Sequence, residues 1–290
     1  MGYIISIDLY RGASMKYFDL YFFKTLFNRF FDDEIGLTAA ALSYYMVFSF
    51  FPLLIMLSIV LGRLGIQSGA GETLLLTILP DDIVQIAHRY LVFVNSEGSS
   101  NILFASAFFT VYFPVRSVTK LMDGINRAYD REGQSTAVRR FASVLIFGLM
   151  VYGLIIFGIF LISVGESALT IILRFLGLPV QWAQIWTYTK FIILWSLGSC
   201  VVLALHYVSP GEKMKISDML PGCVISVTVW TVVSMFFSMY VKYIGRYSLL
   251  YGSIGAVMIL LYWFYITAVI LLMGAEFSSI LRERKRKFEK

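Results

Sequence analysis

Phe141–Val164 reads FASVLIFGLMVYGLIIFGIFLISV, a run without a single charged side chain. At the rise of an α-helix, about 20 such residues cross the roughly 30 Å hydrocarbon core of a bilayer. This run therefore predicts a transmembrane helix by length and composition alone. Five more long apolar runs lie on either side of it, at Gly36–Gly62, Asn101–Met122, Gln184–Tyr207, Met219–Val241 and Tyr251–Ile280, three of them carrying one or two charged side chains. The whole chain agrees: 59% of its 290 residues are hydrophobic, only 14% are charged, and the mean hydropathy is +0.78. That leaves too little polar surface to coat a water-soluble globule. No ten-residue alternating pattern is present, and backbone amides in lipid need partners within their own segment, so helices are predicted rather than a barrel.

The basic residues orient the spans, because loops retained in the cytoplasm carry the excess of Lys and Arg. One side collects Arg11, Lys16, Lys24 and Arg29, then Arg116, Lys120, Arg127, Arg131, Arg139 and Arg140, then Lys213 and Lys215, and finally Arg282, Arg284, Lys285, Arg286, Lys287 and Lys290. The other side holds Arg63, Arg89, Arg174, Lys190, Lys242 and Arg246. Both termini are accordingly expected in the cytoplasm of a multi-pass protein of a bacterial inner membrane. The organisation is a cytoplasmic tail and interfacial helix at residues 1–35, a six-span membrane domain at 36–281, and a basic cytoplasmic tail at 282–290. The net charge of +6 follows this topology rather than one recognition surface, so no nucleic-acid partner is expected. Membrane lipids are the expected partners, the basic tail meeting anionic head groups. A homo-oligomer is compatible with the sequence, which names no protein partner.

Met1–Phe31 contains acids and has no clean apolar core before small residues, so it does not read as a cleavable signal. From Met15 to Phe31, Phe18, Tyr21, Phe22, Leu26 and Phe30 face away from Thr25, Asn28, Arg29 and Asp32, the pattern of a helix lying in the membrane interface. In the long outer connection Arg63–Ser100, Pro80-Asp81-Asp82 starts a second amphipathic pattern through Ile83, Ile86, Ala87, Tyr90, Leu91 and Val94. The predicted fold is thus all-α: six transmembrane helices, an N-terminal interfacial helix and a short external helix between spans one and two.

Enzyme machinery is missing from the sequence. The chain has two histidines, His88 and His206, too few for a histidine-based dinuclear metal site. It has no HExxH, phosphate-binding loop or GxGxxG, and no nucleophile elbow. Cys200 and Cys223 fall in different spans at mismatched depths and read as packing residues rather than a disulfide or ligands. No metal and no cofactor is expected.

Charges inside spans cost roughly 2.5–3.5 kcal/mol unless they pair, snorkel or face water, and so mark the candidate site. Arg116 and Lys120 occupy the inner part of span two one turn apart, and Asp123 and Arg127 continue on nearly the same face. Arg116 lies roughly 10 Å from the end of that span. Asn126 adds a polar side chain beside Arg127. Glu276, near the cytoplasmic end of span six, has a depth comparable to the span-two cations and is a candidate partner for them. Pro52 and Pro114 each remove an amide donor inside a span and are candidate hinges. Gly36, Ala39, Ala40 and Ser43, and Gly252, Gly255 and Ala256, permit close helix approach.

LTAAALSYYMVFSFFPLLIM at Leu37–Met56 resembles the first-span signature of the YihY/BrkB family. INRAYD at Ile125–Asp130, Tyr207 with Pro210, LPGCVISVTVW at Leu220–Trp230 and Tyr240 resemble its intermediate segments. YGSIGAVMILLYWFYITAVILLMGAEF at Tyr251–Phe277 is similar to its terminal signature, with the closing Gly274–Glu276. The resemblance covers roughly Phe18 to Leu281. Cys223 departs from it where a small residue is usual, as does His206 ahead of Tyr207. The resemblance implies a six-span bacterial inner-membrane protein. A ribonuclease label used within that family belongs to a metal-dependent fold whose histidine cluster this sequence lacks, so the protein is not expected to be an enzyme. The residues and the resemblance together point to a transporter or translocase of an amphiphilic anion such as a lipid or envelope precursor. A non-transporting scaffold that organises the envelope is the alternative, and a membrane ribonuclease the weakest reading.

Overall fold

An aspartate opens the first helix described: Asp19 is extended and its side chain accepts from the Phe22 N–H, satisfying an amide that the helix leaves orphaned. In the computed structural model, which describes residues 19–63, 100–130, 137–163, 175, 183–209, 214–244 and 248–288, seven helices follow one another. They are α1 (Leu20–Asp32), α2 (Ile35–Arg63), α3 (Ser100–Ala128), α4 (Ala137–Ser163), α5 (Ala183–Val208), α6 (Ile216–Ile244) and α7 (Ser248–Phe288). No strand occurs among the described residues. The sequence-predicted external helix at 83–94 lies outside them.

α2 to α7 contain the six apolar runs. Thr189–Val208, Ile216–Val241 and Val257–Lys287 are long and apolar enough to cross a membrane, and Ile35–Ser49 and Phe141–Val151 are shorter apolar stretches. Less than a third of each long stretch is buried within the protein. Val229, Val232, Met235, Phe236 and Met239 on α6 are exposed, as are Phe191 and Ile192 on α5. A surface of that kind is stable only where the surrounding solvent is itself apolar.

α7 runs for 41 residues without a break, about 60 Å, or twice the hydrocarbon thickness. The basic residues Arg282–Lys287 lie in the last turns of this same helix. Pro114 sits inside continuous α3, and Pro52 falls within α2. Pro221 lies near the start of α6.

The chain divides into two compact units, whose boundaries fall within α2, α3, α6 and α7. The first comprises Met1–Gly36, Met122–Thr231 and Ile270–Lys290. Phe22, Ile125, Leu205, Met219, Cys223, Ala275 and Ile280 are buried in it. α6 and α7 cross closely at Gly222 and Gly274. A Cβ on Gly222 would overlap the Gly274 carbonyl oxygen, and one on Gly274 would overlap the Ser226 hydroxyl. Polar atoms close this seam as well: Ser278 Oγ accepts from the Gly222 N–H at 2.8 Å and donates to the Met219 carbonyl at 2.9 Å. Small residues let two backbones touch, and hydroxyls take up the amide that an apolar side chain would strand.

The second unit comprises Leu37–Leu121 and Val232–Val269. Aromatic rings carry much of its packing. Phe48 of α2 meets Phe113 of α3 at 5.5 Å between centroids, and Phe237 of α6 meets Trp263 of α7 at 4.6 Å. These separations are ordinary for paired aromatic rings.

Candidate functional site

In the first unit, α1 lies against the end of α7. Phe22 is fully buried and packs edge-on to Phe277 at 5.1 Å. Seven residues on, Arg29 faces the same way, because two helical turns return a side chain to one face. Its Nη1 donates to Glu276 Oε2 at 3.0 Å and to Ser279 Oγ at 3.1 Å, and its Nη2 donates to Glu283 Oε1. Glu276, Ser279 and Glu283 are spaced three and four residues apart and so share one edge of α7. At the other end of α1, Arg284 pairs with Asp19 at 2.8 Å and lies over the rings of Tyr21 and Phe22. Two arginines thus fasten α1 to α7 in opposite directions, one donated by each helix.

The opposite face of α1 is apolar and open: Leu20, Phe23, Phe27 and Phe31 are exposed in a stripe. The exposed set differs in part from the residues that the sequence pattern selects. Phe22 turns inward, while Tyr21 is exposed. The physical reason is Arg29, which must reach Glu276 and thereby fixes the rotation of the helix.

Charge in this cluster is tightly matched. The side chain of Glu276 is 2% exposed and that of Arg29 19%. Burial opposes the charge on Arg29, but hydrogen bonds to Glu283 and Glu276 more than offset it and hold the guanidinium above its ordinary value. Asp33, just past α1, is pushed up by burial even though Glu276, Arg29 and Arg127 lie beside it. Arg127 Nη1 donates to the Asp33 carbonyl at 3.0 Å, tying the end of α3 to the turn between α1 and α2. In that turn Glu34 has φ of 50°, and after α3 Asp130 has φ of 54°. The left-handed region is costly for most side chains, Glu34 included, and better tolerated by an aspartate such as Asp130. Next to this cluster Tyr129 OH and His206 Nδ1 are 3.2 Å apart. The Nε2 of His206 and the Oδ1 of Asn126 are buried without a partner among the described residues.

The second unit holds the two span-two cations. Phe108, Tyr112, Arg116 and Lys120 recur every four residues along α3 and are all exposed. Phe108 and Tyr112 stack at 5.6 Å, the Arg116 guanidinium lies 5.6 Å from the Tyr112 ring centroid, and its Nε donates to the Tyr112 hydroxyl at 3.3 Å. The result is a ladder of two aromatic rungs followed by two cationic ones, about 18 Å long.

The sequence-predicted residues therefore fall into two groups. Arg116 and Lys120 belong to the exposed ladder. Asn126, Arg127 and Glu276 belong to the first unit with half-buried Asp123. The cation on Glu276 is Arg29, which sequence reasoning assigned only to the polar side of an interfacial helix. Asp33, Tyr129, Ser279 and Glu283 were likewise missed. The available signal was the i, i+3, i+7 spacing of Glu276, Ser279 and Glu283 on a span too apolar to tolerate an unpaired acid. Among the described residues, no group of three His, Cys, Asp or Glu is placed to hold a metal ion. Both cysteines are free, Cys223 buried and Cys200 exposed.

The pattern of the family described as Virulence factor BrkB matches residues 26–290. A putative ribonuclease-like protein, YfkH of Bacillus subtilis (strain 168), is 24% identical over 91% of this chain and 96% of its own length. A UPF0761 membrane protein of Vibrio campbellii is 26% identical over 91% of this chain and 83% of its own. Another, from Vibrio vulnificus (strain YJ016), is 22% identical over 98% and 90%. No solved structure matches the chain.

Proposed function

Because the chain belongs to the virulence factor BrkB family, we propose that it is a transporter or translocase of an amphiphilic anion, such as a lipid or envelope precursor, in the bacterial inner membrane. The observation that carries this reading is the exposed ladder Phe108–Tyr112–Arg116–Lys120. Cations on an apolar helix are costly unless something compensates them, and the partner that Arg116 meets is the neutral Tyr112, while Lys120 is exposed. An anionic head group compensates both charges, while the aromatic rungs offer a surface along which an acyl chain slides. α1, with its aromatic stripe in the cytoplasmic interface, and the exposed Lys285, Arg286 and Lys287 at the end of α7 hold the cytoplasmic ends at the head-group level. Six spans with both termini in the cytoplasm complete the arrangement. Pro114, inside α3 between Tyr112 and Arg116, is the hinge candidate nearest the ladder.

The test is reconstitution into liposomes carrying a fluorescent anionic lipid, followed by the fraction that a membrane-impermeant reductant bleaches. Protein-dependent bleaching beyond the outer leaflet is expected, and it is expected to vanish in the Arg116→Gln/Lys120→Gln variant that purifies as a folded protein. Unchanged bleaching in that variant removes the two cations from the path.

A further inference from the structure

Resting on that reading, we infer that the Arg116–Lys120 pair selects a lipid whose head group ends in a phosphate monoester, with Tyr112 as the positioning residue for Arg116. The argument begins with donors. Arg116 spends its Nε on the Tyr112 hydroxyl and lies against the Tyr112 ring. The Tyr112 ring is itself stacked on Phe108. A guanidinium held in this way keeps its two terminal nitrogens as a preset fork, the geometry that meets two oxygens of one phosphate. The Lys120 ammonium follows one turn later, about 6 Å along the axis on the same exposed face. Its flexible stem lets it close on a third oxygen.

Head groups differ in how well they fill such a site. A phosphate monoester offers three terminal oxygens and a charge of about −1.5 to −2 near neutrality, so it satisfies the fork and the ammonium together. The two cations also favour its second ionisation, as neighbouring positive charge does for any acid. A phosphodiester such as phosphatidylglycerol has two free oxygens and one charge, which Arg116 alone satisfies while Lys120 is left unmatched. A zwitterionic head group adds an ammonium beside two cations and is disfavoured by like-charge repulsion. The faces of the Phe108 and Tyr112 rings contribute no such preference of their own, because they meet only the hydrocarbon part, whereas the Tyr112 hydroxyl acts on the head group through Arg116.

The experiment compares three labelled probes, phosphatidic acid, phosphatidylglycerol and phosphatidylcholine, in proteoliposomes of unlabelled phosphatidylcholine at low salt. In the wild-type protein phosphatidic acid is expected to move about tenfold faster than phosphatidylglycerol, and phosphatidylcholine slowest, a tenfold ratio being the usual scale of one good charge-assisted contact. Lys120→Gln is expected to slow phosphatidic acid most and bring the first ratio to within about twofold. Tyr112→Phe, which keeps the ring and removes the hydroxyl, is expected to narrow it in the same direction. Phosphatidylglycerol or phosphatidylcholine moving as fast as phosphatidic acid in the wild-type protein overturns the head-group assignment while leaving translocation standing. Movement of none of the three overturns translocation itself, and the assignment with it.

Discussion

Replacing Arg29 by alanine removes the cation from a carboxylate that is almost wholly buried. The Glu276 side chain is 2% exposed, Ser279 is buried, and neither supplies a compensating charge. Breaking a buried pair from one side costs roughly 3–5 kcal/mol, because the other charge is stranded. Arg29 itself retains 19% exposure, so the lower end applies and about 3 kcal/mol is expected. The reverse change is cheaper. Glu276→Gln keeps the shape, leaves Arg29 bound to Glu283 and partly in contact with water, and is expected to cost about 1–2 kcal/mol. Glu283 is 45% exposed, so Glu283→Gln is expected to cost less than about 1 kcal/mol. The double variant Arg29→Ala/Glu276→Gln is expected to be less destabilised than the sum of its parts by at least about 1 kcal/mol, since no stranded carboxylate remains. Unfolding of the purified protein by sodium dodecyl sulfate in mixed micelles, followed by its five tryptophans, reads all four values. Glu283→Gln costing as much as Arg29→Ala, or strict additivity in the double variant, would refute the assignment of Arg29 to a buried Glu276.

At the α6–α7 crossing, Gly274→Ala is expected to destabilise the protein by about 1–3 kcal/mol, because the new methyl meets the Ser226 hydroxyl and the Gly222 backbone. Gly148→Ala in α4, where nothing lies within 4 Å of an added Cβ, is expected to be neutral or to stabilise by about 0.5–1 kcal/mol; thermal unfolding of the two side by side checks the contrast. The Arg284 hydrogen bond, with the Phe22 amide behind it, holds Asp19 below its ordinary carboxylate value. A depressed acid stabilises the fold above its unfolded pKa and loses that contribution as pH falls through the folded one, so the start of α1 is expected to loosen on acidification below about pH 4. Hydrogen exchange at the Phe22 amide, corrected for the intrinsic pH dependence, measures this, and protection that is unchanged down to pH 2.5 would count against the cap.

Much of the fold is legible in the sequence for a simple reason: in lipid, helix position is set by a one-dimensional property. The run Phe141–Val164 lies almost wholly within α4, and the other five runs lie within α2, α3, α5, α6 and α7 to within a few residues. The aromatic helix ahead of the first span is also legible, because its aromatic spacing is a local signal. Its rotation is not. Which of its aromatic residues turn inward depends on Arg29 reaching an acid 247 residues away in sequence, and no periodicity carries that information. The candidate site divides in the same way. Arg116 and Lys120 announce themselves, because a charge within an apolar run is conspicuous wherever the helix packs. Glu276 does too, but its partner does not. Spans of similar depth offered several cations, and depth alone cannot choose among them.

The sequence by itself therefore determined that this is a membrane protein, where the described apolar helices run to within a few residues, and which residues place a charge inside an apolar run. Those follow from transfer free energies that each residue carries with it. The tertiary structure alone decided which side chain each charge meets: Arg29 and Glu276, Arg284 and Asp19, and the neutral Tyr112 beside an exposed Arg116. It also decided that Gly222 and Gly274 bring α6 and α7 so close that a Cβ at either would overlap the other helix. Partner choice depends on a few ångströms of distance and on the rotation of whole helices, and both are fixed only when every face is packed at once.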